Sequence, residues 1–173
     1  VNYNGTTKRT LTCTDTGSGL SSQTLSISNF TVSNSNGSVT AVSAPTEVTN
    51  GYKYTVTVKG LAAGSFTVSL KAGIIKDAAT NTNAVTTSES ITVNKVAATN
   101  PTLTAYTGTY DGNSHTITVS GGSGGTIQYS TDNSTWSTTK PTRTNAGTTT
   151  VYVRVLGDAN HNTTTSVSAN ITI

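Results

Sequence analysis

Apolar side chains recurring at every second residue constrain this chain more than any other feature. Tyr52, Tyr54, Val56 and Val58 alternate with Lys53, Thr55, Thr57 and Lys59, and Phe66, Val68, Leu70 and Ala72 repeat the pattern. A period of two puts one set of side chains on one face of an extended strand and the rest on the other. Such a strand must bury its apolar face against a second layer, so an all-β fold is expected. No segment carries the 3.6-residue period of an amphipathic helix, and β-branched residues run throughout.

Composition tests that expectation. Charged residues are only 10% of the chain, against about 25% in ordinary soluble domains, and Ser and Thr make up roughly a third. Low charge with few large apolar groups is also a mark of disorder. Here, though, the polar residues are mainly Thr, a β-branched strand former, interleaved with Val, Ile, Leu and Tyr. The chain therefore reads as folded.

The net charge of +3 comes from ten Lys/Arg and seven Asp/Glu. The basic residues are scattered singly apart from Lys8-Arg9, so no stripe tracks a phosphate backbone and no nucleic-acid partner is expected. No apolar run approaches the ~20 residues of a membrane span, so no membrane insertion is expected in this segment. The start at Val1 shows no signal-peptide pattern. With no Met, the chain reads as an excerpt of a longer precursor or as a mature fragment. Its single cysteine, Cys13, excludes an intrachain disulfide. It shares a strand face with Leu11, where a small apolar role is expected. A disulfide-free secreted β protein suits a bacterial surface better than an animal one.

Strands are expected at 10–14, 25–33, 39–42, 52–58, 66–72 and 91–93, with a bulge or bend where the apolar phase slips between Ile27 and Phe30. Asn36-Gly37, Asn50-Gly51 and the stretch from Gly60 to Gly64 supply turns. Residues 96–101 carry no strand pattern and end in Asn100-Pro101, so they are expected to link a first domain, 1–95, to a second, 102–173. In the second, strands are expected at 103–106, 116–120, 126–130, 150–156 and 167–173, with 121–125 as a flexible hairpin loop.

Several groups in the second half resemble the MBG-type Ig-like repeats of large bacterial cell-surface and adhesin-like proteins, mostly of Firmicutes. They are Tyr110-Asp111-Gly112 with His115, Tyr129-Ser130-Thr131-Asp132, Thr144-Asn145-Ala146-Gly147, Val151-Tyr152-Val153 and Gly157-Asp158-Ala159-Asn160. The resemblance covers about 100–173. The first half is similar, more loosely, to another bacterial Ig-like module. Its carriers are Asp15-Thr16-Gly17-Ser18-Gly19, Asn29-Phe30-Thr31-Val32, Tyr54-Thr55-Val56-Thr57-Val58 and Asp77-Ala78-Ala79-Thr80-Asn81, where related modules often have Ala-Gly-Asn after the Asp-Ala pair.

The resemblance implies two tandem Ig-like β-sandwich domains displayed outside a bacterial cell, surface-bound or secreted. Its partners would be neighbouring Ig-like domains of the same polypeptide and a host or cell-wall glycan or protein. The implied role is a non-catalytic stalk or adhesion segment; the alternative is a carbohydrate-binding accessory module of a secreted glycosidase, or an adhesin tip.

As scaffold, Gly112 and Gly147 can take positive φ, Asp111 and Asp158 can cap backbone N–H groups in turns, and Tyr110 can bury its ring.

The residues with chemical potential are few. Tyr129 and Trp136 are candidates for stacking on a sugar ring, with packing on the core as the competing role. Asp77, Asn81 and Asn83, with Asp15 across the module, form an oxygen cluster that could take calcium, the only cofactor considered. Asp158, Asn160 and Asn162 have the spacing of a calcium loop, but Thr163 and Ala169 stand where that loop needs Gly and an acid, so a hairpin turn is expected. Zinc has no Cys/His set. His115 and His161 are expected at a strand start and a hairpin tip, and most aspartates at turns, so no catalytic residue is assigned. Lys8, Asn94 and Glu89 are the residues an internal isopeptide bond would use.

Overall fold

The alternation at 52–58 becomes the central strand of a four-stranded sheet. The computed structural model describes all 173 residues, Val1–Ile173, and the chain divides into two units, Val1–Asn94 and Lys95–Ile173. The first contains β1 (Thr6–Thr14), β2 (Phe30–Val32), β3 (Gly37–Val42), β4 (Thr46–Val48), β5 (Gly51–Gly60), β6 (Gly64–Phe66), β7 (Val68–Leu70), β8 (Thr86–Thr87) and β9 (Ile91–Val93). β5 pairs antiparallel with β1 along one edge and with β3 and β4 along the other. Opposite it, β2, β7 and β8 form a second sheet, and β6 pairs with β9. Ser88 joins the last two groups: its N–H donates to the Val68 carbonyl at 2.8 Å, and its hydroxyl accepts from Val68 N–H at 3.0 Å.

The inward faces make one core. Tyr54, Val56 and Val58 of β5 meet Phe30, Phe66, Val68, Leu70, Ile91 and Val93, with Leu25 and Ile75 closing it. This is an all-β, sandwich-like layering, as the alternation requires. Tyr54 is buried to 1% exposure, and its hydroxyl donates to the Gln23 carbonyl at 2.7 Å, so no polar atom is stranded. Gly37 is needed for space, because a Cβ there would enter the Phe66 ring.

The 25–33 stretch departs from the expected bulged strand. Leu25 and Phe30 are buried, but a single 3₁₀ turn over Ile27–Asn29 stands between them and leaves Ile27 exposed. Asn29 Oδ1 accepts the Ser26 N–H at 2.7 Å, the local bond that lets the chain turn. The slip in apolar phase marks this tight turn.

The second unit contains β10 (Val96–Ala97), β11 (Thr99–Thr104), β12 (Tyr106–Thr107), β13 (Thr118–Ser123), β14 (Gly125–Ser130), β15 (Thr148–Gly157), β16 (His161–Asn162) and β17 (Val167–Thr172). Its main sheet has the order β12-β17-β15-β14, and β11 pairs with β13. Ile117, Val151, Val153 and Ile171 form the core, with Leu103, Tyr106, Ile127 and Tyr129 against it.

Three local expectations are corrected here. The stretch 96–101, expected as a linker, lies in β10 and β11 and is paired with β16 and β13. Backbone pairing needs no apolar alternation, which is why the pattern missed it. The Gly-rich 121–125 segment is strand on both sides of Gly124; Gly121 pairs with Pro101, and Gly125 with Gly157. Glycines serve here because a Cβ on Gly125 would strike the Leu156 carbonyl. Tyr110 is 64% exposed rather than buried.

Candidate functional site

Tyr129 and Trp136 fall on opposite faces of the main sheet of the second unit. Tyr129 pairs with Val153 and packs on the apolar core. Its strand neighbour Gln128 therefore faces outward, opposite Arg154. Trp136 lies on that outer side, its ring covered by the Arg154 guanidinium at 4.2 Å. Arg154 also donates from Nε and an Nη to Gln128 Oε1 at 3.0 and 2.9 Å. The two aromatics thus do not share a platform. The strand period gave the means of seeing this for Tyr129, but the Ser130-to-Trp136 turn hid where Trp136 returns.

In the first unit, Asp15, Asp77, Asn81 and Asn83 border one cavity of about 350 Å³. Their oxygens already hold the backbone. Asp77 accepts the Asn81 N–H through Oδ1 and the Asn81 side-chain amide through Oδ2, both at 2.8 Å. Those bonds, the side-chain one foremost, hold its carboxyl below the usual range. Asn83 Oδ1 accepts from Ile74 and Ile75 N–H at 2.8 Å each, while its Nδ2 donates to Lys71 and Ala84 carbonyls. Asp15 caps Gly17 and Gly19. Cys13 borders the same cavity, half-buried, and burial pushes its thiol up. Lys8 and Glu89 are both exposed.

The histidines sit in two similar arrangements that sequence reasoning did not assemble. His115 bridges Arg143 through two 2.9 Å backbone bonds and stacks on Tyr106 with ring centroids 4.2 Å apart. Its Nε2 faces Asp111 Oδ1 at 2.9 Å. A carboxylate only accepts, so the Nε2 proton lies between them. That bond, and the Asn113 N–H and side-chain amide, lower Asp111 to about 2. His161 Nδ1 likewise meets Asp158 Oδ1 at 2.7 Å, and Asp158 Oδ1 caps Asn160 N–H as a turn. Asp132 accepts from Thr135 and Ser134 N–H and from the Ser130 hydroxyl, which drives its carboxyl far below the ordinary value. Gly112 and Gly147 take φ of +80° and +123°, as the turns need.

Each of these acids stabilises a turn by accepting hydrogen bonds from it. No protein-family model matches the chain, and no curated protein is similar to it.

Proposed function

We propose that this chain is a load-bearing spacer or adhesion segment of an extracellular bacterial protein, built of two Ig-like sandwich units without a catalytic role. One observation supports this reading most: in each unit, a segment from its N-terminal part runs parallel to the end of its last strand. In the first unit, Asn2 bridges Asn94 in parallel register. The Val1 ammonium donates to the Thr92 carbonyl at 2.8 Å, Asn94 N–H to Val1 at 2.7 Å, and Tyr3 N–H to Asn94 at 2.9 Å. In the second unit, β12 lies parallel to β17, with Tyr106 opposite Ile171 and Gly108 N–H donating to Thr172.

When such a unit is pulled by its two ends, parallel end strands slide past each other in opposite directions. Their interstrand bonds lie across that motion and resist it together. Antiparallel end strands would instead peel one bond at a time. The Thr-clad exterior and sparse charge suit an exposed surface that stays free of large apolar patches.

Single-molecule stretching between Val1 and Ile173 tests this. Two unfolding events are expected, and Asn94→Pro, which deletes the N–H donated to Val1, should lower the force of one of them only. Equal forces in the parent and the variant would remove the mechanical reading.

A further inference from the structure

A cleft of about 290 Å³ opens along one side of the first unit, between the free edge of β1 and the free edge of β8. β1 pairs only with β5, and β8 only with β7, so neither strand has a neighbour on the cleft side. The floor is core: Phe30, Val56, Val58, Val68 and Leu70. A second cavity continues it past Leu11, Thr12 and Thr86. Two unpaired backbone edges over an apolar floor are what an added strand needs, since main-chain bonds hold it and alternate side chains fill the floor.

Two observations say what kind of strand fits. The first is direction. Val1–Tyr3 already runs parallel to the end of β9 beside Thr92 and Asn94. A strand in line with it would run along β8 toward β9 and antiparallel to β1. The second is charge. Arg9 pairs directly with Val56, a buried core residue, so it lies on the inward face of β1 and borders the cleft. The inward positions Leu11 and Cys13 pack on the core, yet Arg9 is exposed and no carboxylate of the protein pairs with it. An inward arginine on an edge strand deters indiscriminate pairing. The same cation admits a strand that brings a carboxylate to that place.

We propose that this cleft accepts an extended peptide strand of alternating small apolar residues carrying one acidic side chain opposite Arg9. The strand would complete the open side of the first unit.

The test uses the whole chain and a synthetic peptide of about six residues, alternating valine and threonine with one glutamate. It is added free and, separately, joined upstream of Val1. Amide exchange should slow at the outward N–H groups of Lys8, Thr10 and Thr12 on β1 and of Thr87 on β8, and nowhere in the second unit. With Arg9→Glu the glutamate peptide should bind about two- to fivefold more weakly, and a lysine peptide should regain that loss. Slowed exchange with equal binding of both peptides would overturn the acidic specificity. Unchanged exchange with the joined peptide would overturn the strand site itself.

Discussion

The first unit buries two phenylalanines and a tyrosine, Phe30, Phe66 and Tyr54, among eleven core residues; the second buries only Ile117, Val151, Val153 and Ile171 in its cluster. What the second lacks in apolar volume it makes up in polar fastening. Asp111 holds His115, Asp132 gathers the Ser130-to-Thr135 turn, and Asp158 holds His161. Arg143 donates to Thr149 Oγ1 at 2.9 Å and to the Ala146 carbonyl at 2.6 Å, and Gly147 leaves room for its guanidinium. A large core tolerates an unpaired edge and an open cleft, because enough area stays buried without them. A slim core needs its turns held, and spends its few charged groups there.

The comparison breaks first at Phe66. Truncating it to Ala should cost the first unit about 3–5 kcal/mol, because the ring fills the space above Gly37 and nothing can move in to replace it. Trp136 is the only tryptophan and lies in the second unit, so its fluorescence reports that unit alone. Circular dichroism of Phe66→Ala should lose an early component while the Trp136 melting curve stays in place. A common shift of both signals would show that the two units stand or fall together. Arg143→Ala should do the reverse on a smaller scale, destabilising the second unit by about 1.5–3 kcal/mol through two lost charge-assisted bonds. Arg143→Lys should restore little of this, because an ammonium cannot span Thr149 and Ala146 as the fork does.

How far the sequence carried this picture depended on what held each element. Where strands bury side chains, period-two patterning found them: Tyr54, Val56, Val58, Phe66, Val68, Leu70, Ile91 and Val93 are all core. Where an element is held by backbone or polar bonds, patterning had nothing to register. β10 and β16 pair through main chain alone, β4 leads through a two-residue turn into β5 without an apolar face, and the 3₁₀ turn at Ile27 rests on Asn29. The Asx turns at Asp111 and Asp158 were legible, since Asp two residues before a donor is a local signal. The joining of Asp111 to Tyr106 through His115 was not, because it depends on β12 and the bridge to Arg143 lying side by side. Nor could the cleft be read: it is made by two strands having no neighbour, and the sequence marks only the inward Arg9.

Acid sharpens the difference between the units. Asp111, Asp132 and Asp158 in the second unit are all held below the usual carboxyl value, and Asp77 is so held in the first. A carboxyl with a lowered folded-state pKa favours folding wherever the unfolded chain would already be ionised, above about 4. As pH falls, the unfolded chain takes up protons first, and the contribution shrinks until the folded group protonates too. For Asp111 that window runs from 3.8 down to about 2. The Trp136 melting temperature should therefore fall between pH 4 and pH 2 by more than the melting temperature of the first unit, followed by circular dichroism. Asp111→Asn should flatten part of that fall, since the amide keeps the Oδ1 acceptor for Asn113 but carries no titrating proton. Equal falls in both signals would mean that the second unit is held by its valines after all, and that its aspartates merely decorate the turns.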